Sequence, residues 1–482
     1  MLPPPTDAVS PSVRPKAWGA ANSAAFLPVL FLLVAAIPFE WLRVPLLGNR
    51  SVLLLPLFLT VSALAWTPFA ALQRLQDFFR LAPWVHGTYA AYLTVLGCAA
   101  FLGPNLKEGV SEFFRACSLF GFYLVAGTYL TGQRPGAIGR TLLAAVPVAI
   151  AGFTAFCFYV FRAQGDNLLN HLTNALVSGD SNAVARRVLM HVVRYQAADA
   201  SAAVLEEITP SVRNSISAGF LLLMVACLAY APAAANSSRR DGGRSLSLMF
   251  TMIGAPVLLL TLMSRSSLLG LILTFAVCLL IHNVSRRGLM QNSVVVTLIL
   301  LVLTCCGSGL AYVLIADDSS LLSMNLQRLQ DITKDARFEH YRLIWRKIID
   351  QPILGYGLGA HTPDGRAVHN FFLGAWFRAG IAGLVTATMF YCFLLGHYLS
   401  DVAWLTRLPM HRFLGPSVFL LPGLMVEPLT RAPLLGGQDG RYIRVEWLAI
   451  AFFLIGMNAV RSRIRDTAGA AVRLTDEEGR TE

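Results

Sequence analysis

The chain has 482 residues, of which 55% are hydrophobic and only 14% are charged, and its net charge is +12. A soluble domain carries roughly a quarter of charged residues, so this composition excludes an ordinary water-soluble protein. Repeated apolar runs of about 17 to 25 residues instead predict an all-α, polytopic membrane protein. Arginine-rich cytoplasmic loops account for much of the positive charge, so we expect no nucleic acid partner.

The apolar runs predict twelve transmembrane helices with both chain ends in the cytoplasm. The predicted spans are residues 23–41, 52–66, 86–103, 113–132, 141–161, 214–234, 245–263, 267–283, 293–314, 370–396, 413–427 and 445–460. Their orientation follows from the short loops richest in arginine, such as NSSRRDGGRS and HNVSRRGLMQ, which stay on the cytoplasmic side.

This threading divides the chain into seven consecutive segments. They are a disordered cytoplasmic tail (1–22), the first five helices (23–161), an outer segment (162–212), helices six to nine (213–314), a large outer loop (315–369), helices ten to twelve (370–460) and a cytoplasmic tail (461–482). Loops as long as the two outer ones are seldom mere connectors. No repeat relates the two halves of the sequence, which weakens a transporter interpretation.

The large outer loop contains one clear amphipathic segment. RFEHYRLIWRKII repeats apolar residues at three- and four-residue steps and places Arg342 and Arg346 together on another face. The pattern predicts a helix that lies along the membrane interface. Pro352 ends it, and the glycine-rich stretch PILGYGLGAH predicts a flexible approach to His369.

His369 stands at the start of the tenth predicted helix. At 100° per residue, Leu373, Trp376, Gly380 and Gly383 share its face, so we expect it to point towards protein. The two glycines predict a close approach by another helix. A neutral imidazole there can accept a proton near neutral pH, although a histidine bonded to a loop carbonyl fits the position as well.

Several arginines also lie at unusual places. Arg265 sits in a tight turn between two apolar runs, where it could anchor phosphate oxygens or simply snorkel to the surface. Arg213 precedes the sixth helix and taken alone is an interfacial anchor, and Arg194 and Arg342 are weaker candidates of the same kind. Arg378 lies about nine residues inside the tenth helix and must face protein, pair or snorkel, but the sequence shows no partner for it.

These residues limit the chemistry. The outer side has no acidic cluster, no metal-ligand spacing, no Walker motif and no GxSxG, and the eight cysteines lie inside apolar runs without metal-type spacing. We therefore expect no metal, no cofactor and no ATP. An outer-surface enzyme without ATP needs a pre-activated substrate, and arginines suit the charge that develops on a lipid diphosphate leaving group.

Motifs in the second half resemble a known family. His369-Asn370, nine residues and then Gly380-x-x-Gly383 resembles the H[NSQ]-x9-G-x-x-G signature of bacterial O-antigen ligases. These enzymes form a superfamily with O-antigen polymerases and bacterial O-linked oligosaccharyltransferases. MSRSSLLG, with Arg265, resembles the family's arginine motif, and YRLIWRKIIDQPILGYGLG resembles the segment entering its periplasmic loop. The resemblance covers roughly residues 210–390, and the first five helices add only hydropathy.

The resemblance implies a metal-independent, inverting glycosyltransferase of lipopolysaccharide biosynthesis. Such an enzyme would lie in the bacterial inner membrane with its active site facing the periplasm. The donor would be a glycan on undecaprenyl diphosphate and the acceptor a sugar hydroxyl of lipid A–core. His369 would be the catalytic residue, and Arg265 and Arg213 would bind the diphosphate. Possible further substrate contacts are Arg194, Arg342 and Asn370.

Alternatives remain within and outside the family. An O-antigen polymerase would use the same donor chemistry with a second lipid-linked glycan as acceptor, and a protein O-oligosaccharyltransferase would use a protein. A secondary transporter is a different class, but transporters place their binding groups near the bilayer midplane. One feature departs from the superfamily pattern, because Arg378 occupies a position near the glycines where an acidic residue is common.

Overall fold

The computed structural model describes residues 26–36, 43–44, 50–51, 68–163, 165, 167–178, 219–227, 229–230, 271, 274, 336–362, 368, 370–406 and 447–462. These residues are mainly helical. They also include a two-residue antiparallel ladder in which β1 (Arg43–Val44) pairs with β2 (Arg50–Ser51). The predicted helical class is confirmed for this part of the chain.

Nine helices are labelled here in chain order. They are α1 (Phe26–Ala36), α2 (Pro68–Leu81), α3 (Pro83–Leu102), α4 (Leu106–Thr131), α5 (Pro135–Ala163), α6 (Leu168–Ser178), α7 (Ala336–Asp350), α8 (Phe371–Thr406) and α9 (Trp447–Ser462). Residues 219–227 and 229–230 are also helical. The predicted spans 52–66, 245–263, 293–314 and 413–427 lie outside the described residues, and span 267–283 lies there except for positions 271 and 274.

Four of the described helices are long and apolar enough to cross a membrane. These stretches are Pro83–Leu102, Leu106–Thr131, Pro135–Tyr159 and Phe371–Trp404. The protein is therefore a membrane protein, and four of the predicted spans are matched by observed helices. The number of twelve, the orientation and the seven-segment division of the chain stay predictions.

Helix α2 was not predicted, because no helix is expected from hydropathy between residues 66 and 86. Its sequence, PFAALQRLQDFFRL, is amphipathic and too polar for a membrane-helix window. Phe78 is fully buried against Gly127 of α4, where an added Cβ would lie 2.2 Å from the ring. Nearby, His86 Nδ1 in α3 donates a hydrogen bond of 3.2 Å to the Phe79 carbonyl of α2. Small-residue packing and one polar bond thus fasten α2 to the bundle.

An aromatic cluster forms the centre of the described bundle. Trp447 of α9 is fully buried, with its ring centroid 4.6 Å from those of Tyr89 in α3 and Tyr123 in α4. Phe390 of α8 lies 6.0 Å from the same ring. Because lipid tails are as apolar as these side chains, close van der Waals packing rather than water exclusion holds such helices together.

Helices α3 and α8 pack side by side in opposite directions. Trp84, at the start of α3, stacks on Phe393 in the second half of α8 at 5.8 Å. Further along α3, Tyr92 packs against Phe371 at the start of α8, also at 5.8 Å. The beginning of α8 therefore lies at the same end of the bundle as the α3–α4 turn, which positions the candidate site described below.

The other end of α8 is joined to α9 by a charged contact. Asp401 is fully buried and accepts a hydrogen bond from the Arg461 guanidinium. His397 Nε2 lies 3.6 Å from the second Asp401 oxygen, and Arg461 also lies over the Trp404 ring at 5.6 Å. This cluster fixes α9 against α8 far from the α3–α4 turn.

Candidate active site

Asn370 caps the helix that follows the predicted catalytic histidine. Its side-chain oxygen accepts hydrogen bonds from the backbone N–H groups of Phe372 and Leu373, both at 3.0 Å. Its carbonyl also accepts from Gly374 N at 2.8 Å. Asparagine is among the preferred residues at this position, because it satisfies N–H groups that have no partner within the helix. Asn370 therefore fixes the first turn of α8.

Helix α8 is broken nine residues later. Ala379 and Gly380 have non-helical backbone angles, and Gly380 adopts φ 61° and ψ −156°, a region that essentially only glycine occupies. The helical projection from His369 to Gly380 and Gly383 assumed a continuous helix, so it is wrong beyond Arg378. The close neighbour of Gly380 is also not a helix: the Ile353 carbonyl oxygen would lie 1.9 Å from a Cβ added there.

The loop after α7 supplies the hydrogen bonds that the break removes. In an unbroken helix Ile381 N would donate to the Phe377 carbonyl. Here Ile381 N donates to the Ile353 carbonyl at 3.2 Å, and the Phe377 carbonyl accepts from Tyr356 N at 2.8 Å. A third bond runs from Gly357 N to the Arg378 carbonyl at 2.9 Å. We call these three bonds the loop–kink ladder, and they satisfy Ile381 N and the Phe377 and Arg378 carbonyls.

The glycines of PILGYGLGAH serve close packing rather than a flexible approach. Gly355, Gly357 and Gly359 all have positive φ, between 69° and 80°. A Cβ on Gly357 would lie 2.2 Å from the Gly103 Cα, at the α3–α4 turn. Leu358 N donates to the carbonyl of Ala99 in α3 at 3.1 Å. The stretch is thus pressed between the α8 break and the α3–α4 turn, and its predicted flexible role is wrong.

A small apolar cluster connects α7, this loop and α8. It consists of Ile344, Ile348, Ala360, Val368 and Phe377, each at most 5% exposed. The predicted amphipathic helix is confirmed, ending at residue 350 as expected. Val368 belongs to this cluster and directly precedes His369, so the cluster holds the chain on the N-terminal side of that residue.

The cluster leaves the basic face of α7 outside. Arg342 and Arg346 are both exposed, one helical turn apart. Beside them, Trp345 packs edge-on against Trp376 of α8, with ring centroids 5.4 Å apart. The Trp376 N–H also donates to the Pro352 carbonyl at 3.0 Å. This arrangement leaves the Arg342 side chain exposed.

Arg378 has the partner that the sequence did not reveal. Its guanidinium lies 3.9 Å from a carboxylate oxygen of Glu112 in α4, and the two side chains are only 8% and 4% exposed. The same oxygen accepts a hydrogen bond of 3.4 Å from Gly359 N. Removing one partner of such a buried pair typically costs about 3–5 kcal/mol, because the other charge stays buried without compensation.

A second carboxylate, one turn earlier on α4, contacts the same loop. Glu108 lies 3.2 Å from His361 Nε2, at a more exposed position. Asn105 caps α4, since its side-chain oxygen accepts from Glu108 N and its amide donates to the Glu108 carboxylate. The start of α4 thus presents two glutamates, at i and i+4, to the loop after α7.

Four predicted site residues lie outside the described residues. They are His369, Arg265, Arg213 and Arg194. Their roles stay predictions, as does substrate contact by Arg342 and Asn370. Within the described part of the chain, no group of three or more His, Cys, Asp or Glu is placed to hold a metal ion.

Sequence reasoning missed Glu108, Glu112 and the α3–α4 turn. The family motifs lie in the second half of the sequence, whereas both glutamates belong to a helix that was expected from hydropathy alone. A signal was present, because Glu112 stands almost two turns inside the apolar helix α4, where a carboxylate needs a partner. The Asn105-x-x-Glu108 spacing likewise indicates a helix start.

Comparison with protein-family models gives a match in the second half of the chain. Residues 248–388 match the family model described as O-antigen ligase. The matched range contains Arg265, α7, the glycine-rich loop, His369 and the broken first part of α8. It confirms the family resemblance that the sequence motifs indicated. No curated protein matches the chain.

Proposed function

We propose that this chain, whose residues 248–388 match the O-antigen ligase family model, transfers a glycan from undecaprenyl diphosphate to a sugar hydroxyl of lipid A–core. The superfamily implies a glycosyltransferase-type membrane enzyme of glycan assembly that acts on lipid-linked glycans. The ligase reaction, the inner membrane and a periplasmic active site are the finer parts of the proposal.

The chemistry assigns one role to His369. The acceptor hydroxyl attacks the anomeric carbon of the donor sugar while the bond to the diphosphate oxygen breaks, so the configuration inverts. The hydroxyl proton passes to the His369 imidazole, which acts as the general base. Undecaprenyl diphosphate leaves with the bonding electrons, and the proposed reaction requires neither a metal ion nor ATP.

Arginines would stabilise the leaving group. Charge develops on the diphosphate as the bond breaks, and guanidinium groups bind phosphate oxygens through paired N–H donors. Arg265 and Arg213 are the proposed ligands. Arg194 and the exposed Arg342 are proposed as further contacts, whereas Asn370 contributes by capping α8 as well as by any contact with substrate.

The observation that carries the proposal is the coincidence of the family match with the loop–kink ladder. The matched range includes both the P-x-x-G-x-G and the G-x-x-G sequences, and the structure joins them through three backbone hydrogen bonds. His369 lies between Val368, buried in the apolar cluster, and Asn370, the helix cap. Val368 and Asn370 are thus both fixed in place, and catalysis needs its reacting groups positioned by such fixed neighbours.

The test is transfer by purified protein in lipid vesicles, in the presence of EDTA. Undecaprenyl-diphosphate glycan is supplied with and without lipid A–core. Glycan on lipid A–core supports the ligase proposal. Longer lipid-linked glycan without that acceptor would make the protein a polymerase, and no product from folded protein would contradict both.

A further inference from the structure

Glu112 is a carboxylate in an unusual place. It lies in α4, a helix apolar enough to span a membrane, and is 5% exposed. Acidic side chains in such helices are costly and are kept where they pair or serve a function. Glu112 makes two contacts, with the Arg378 guanidinium at 3.9 Å and with Gly359 N at 3.4 Å.

These two contacts reach both sides of the loop–kink ladder. Arg378 belongs to the broken stretch of α8, and its carbonyl accepts from Gly357. Gly359 belongs to the loop, two residues after that bond. One carboxylate oxygen therefore connects α4 to the loop and to the break in α8 together.

From these contacts we propose that Glu112 is a positioning residue for glycan transfer, acting through Arg378 and Gly359. The proposal rests on the proposed function. Arg378 is then the counter-ion of Glu112 and not a ligand of the diphosphate. This distinguishes it from Arg265, Arg213 and the exposed Arg342.

A chain of contacts leads from Glu112 towards His369. Phe377 precedes Arg378 and Ala360 follows Gly359, and both pack with Val368 in the apolar cluster. Val368 is 4% exposed and is the residue before His369. A shift of Arg378 or Gly359 is therefore transmitted through close-packed side chains, which do not deform freely.

The alternative is that Glu112 merely neutralises a buried arginine. The two roles differ in their effect on kcat. A neutralising residue affects folding stability alone, whereas a positioning residue also slows the folded enzyme. Misplacement by about 1 Å can reduce the rate on the order of a hundredfold.

The test uses full-length protein in lipid and the double variant Glu112→Gln/Arg378→Met. Removing both charges avoids an uncompensated buried ion, so the variant retains its fold. The matched control is Asp401→Asn, which weakens a buried charge pair at the far end of the same helix. We expect kcat of the double variant to fall about tenfold to a hundredfold, with the donor KM within about twofold of wild type, while the control keeps the wild-type kcat. A folded double variant with wild-type kcat overturns the proposal.

Hydrogen exchange separates this proposal from the proposed function. The amides of Tyr356 and Gly357 donate the ladder bonds to α8. They should exchange faster in the double variant than in Asp401→Asn, whichever reaction the protein catalyses. Unchanged exchange of these amides overturns the positioning role. Absence of transfer by the wild-type protein contradicts only the proposed function.

Discussion

The substitution Gly380→Ala tests the geometry of the broken helix. Gly380 adopts φ 61° and ψ −156°, and an added Cβ would lie 1.9 Å from the Ile353 carbonyl oxygen. Contacts below 3.0 Å are essentially never seen for real Cβ atoms, so the loop must retreat by at least about 1 Å.

The cost has two sources. Forcing alanine into this backbone region costs on the order of 1–3 kcal/mol. Moving Ile353 also breaks its hydrogen bond with Ile381 N, worth about 1 kcal/mol. A total of about 3 kcal/mol favours the open loop by roughly a hundredfold, since 1.4 kcal/mol is a factor of ten. We expect kcat for glycan transfer to fall by a similar factor.

Gly396→Ala is the matched control for this prediction. Gly396 lies in the same helix, and a Cβ added there meets nothing within 4 Å. Alanine should stabilise the helix by up to about 1 kcal/mol and leave transfer unchanged. Both variants are assayed for initial rate and for thermal inactivation in detergent. A Gly380→Ala protein as active as Gly396→Ala would refute the role given to the loop–kink ladder.

Three further substitutions probe separate parts of the protein. Asn370→Ala should lower stability by about 1 kcal/mol because the helix cap is lost, and Asn370→Ser should restore that stability. Equal thermal inactivation of the two variants would contradict the capping role of Asn370. Asp401→Asn should lower the free energy of unfolding by about 2 kcal/mol, because it weakens the bond to Arg461. The readout is a lower inactivation temperature, and an unchanged temperature would show that the pair contributes nothing to stability. Arg265→Lys keeps the positive charge but loses the bidentate guanidinium donor, so the rate of glycan transfer should fall steeply. Full activity would show that no bidentate contact exists.

Hydropathy predicted the long helices well because membrane spans are recognised by length and composition alone. Spans 86–103, 113–132 and 141–161 correspond to α3, α4 and α5, with ends that differ by up to seven residues. Helix α2 was not recognised by apolar length and composition, because it is amphipathic and too polar. Its stability comes from tertiary packing of Phe78 against Gly127, which a local window does not contain.

The site was predicted in its motifs but not in its contacts. The glycines and prolines after α7 were recognised as a pattern, yet their purpose depends on Gly103 and on the break at Gly380, distant in sequence. Arg378 was recognised as needing a partner. That partner, Glu112, lies 266 positions earlier, a pairing that only the folded chain reveals.

The central claim is glycan transfer that depends on His369. The most direct measurement compares wild-type protein and His369→Ala in lipid, with undecaprenyl-diphosphate glycan as donor and lipid A–core as acceptor. The account predicts glycosylated lipid A–core from the wild type and loss of transfer by the variant, while both remain folded and inserted. Near-normal transfer by His369→Ala would contradict it.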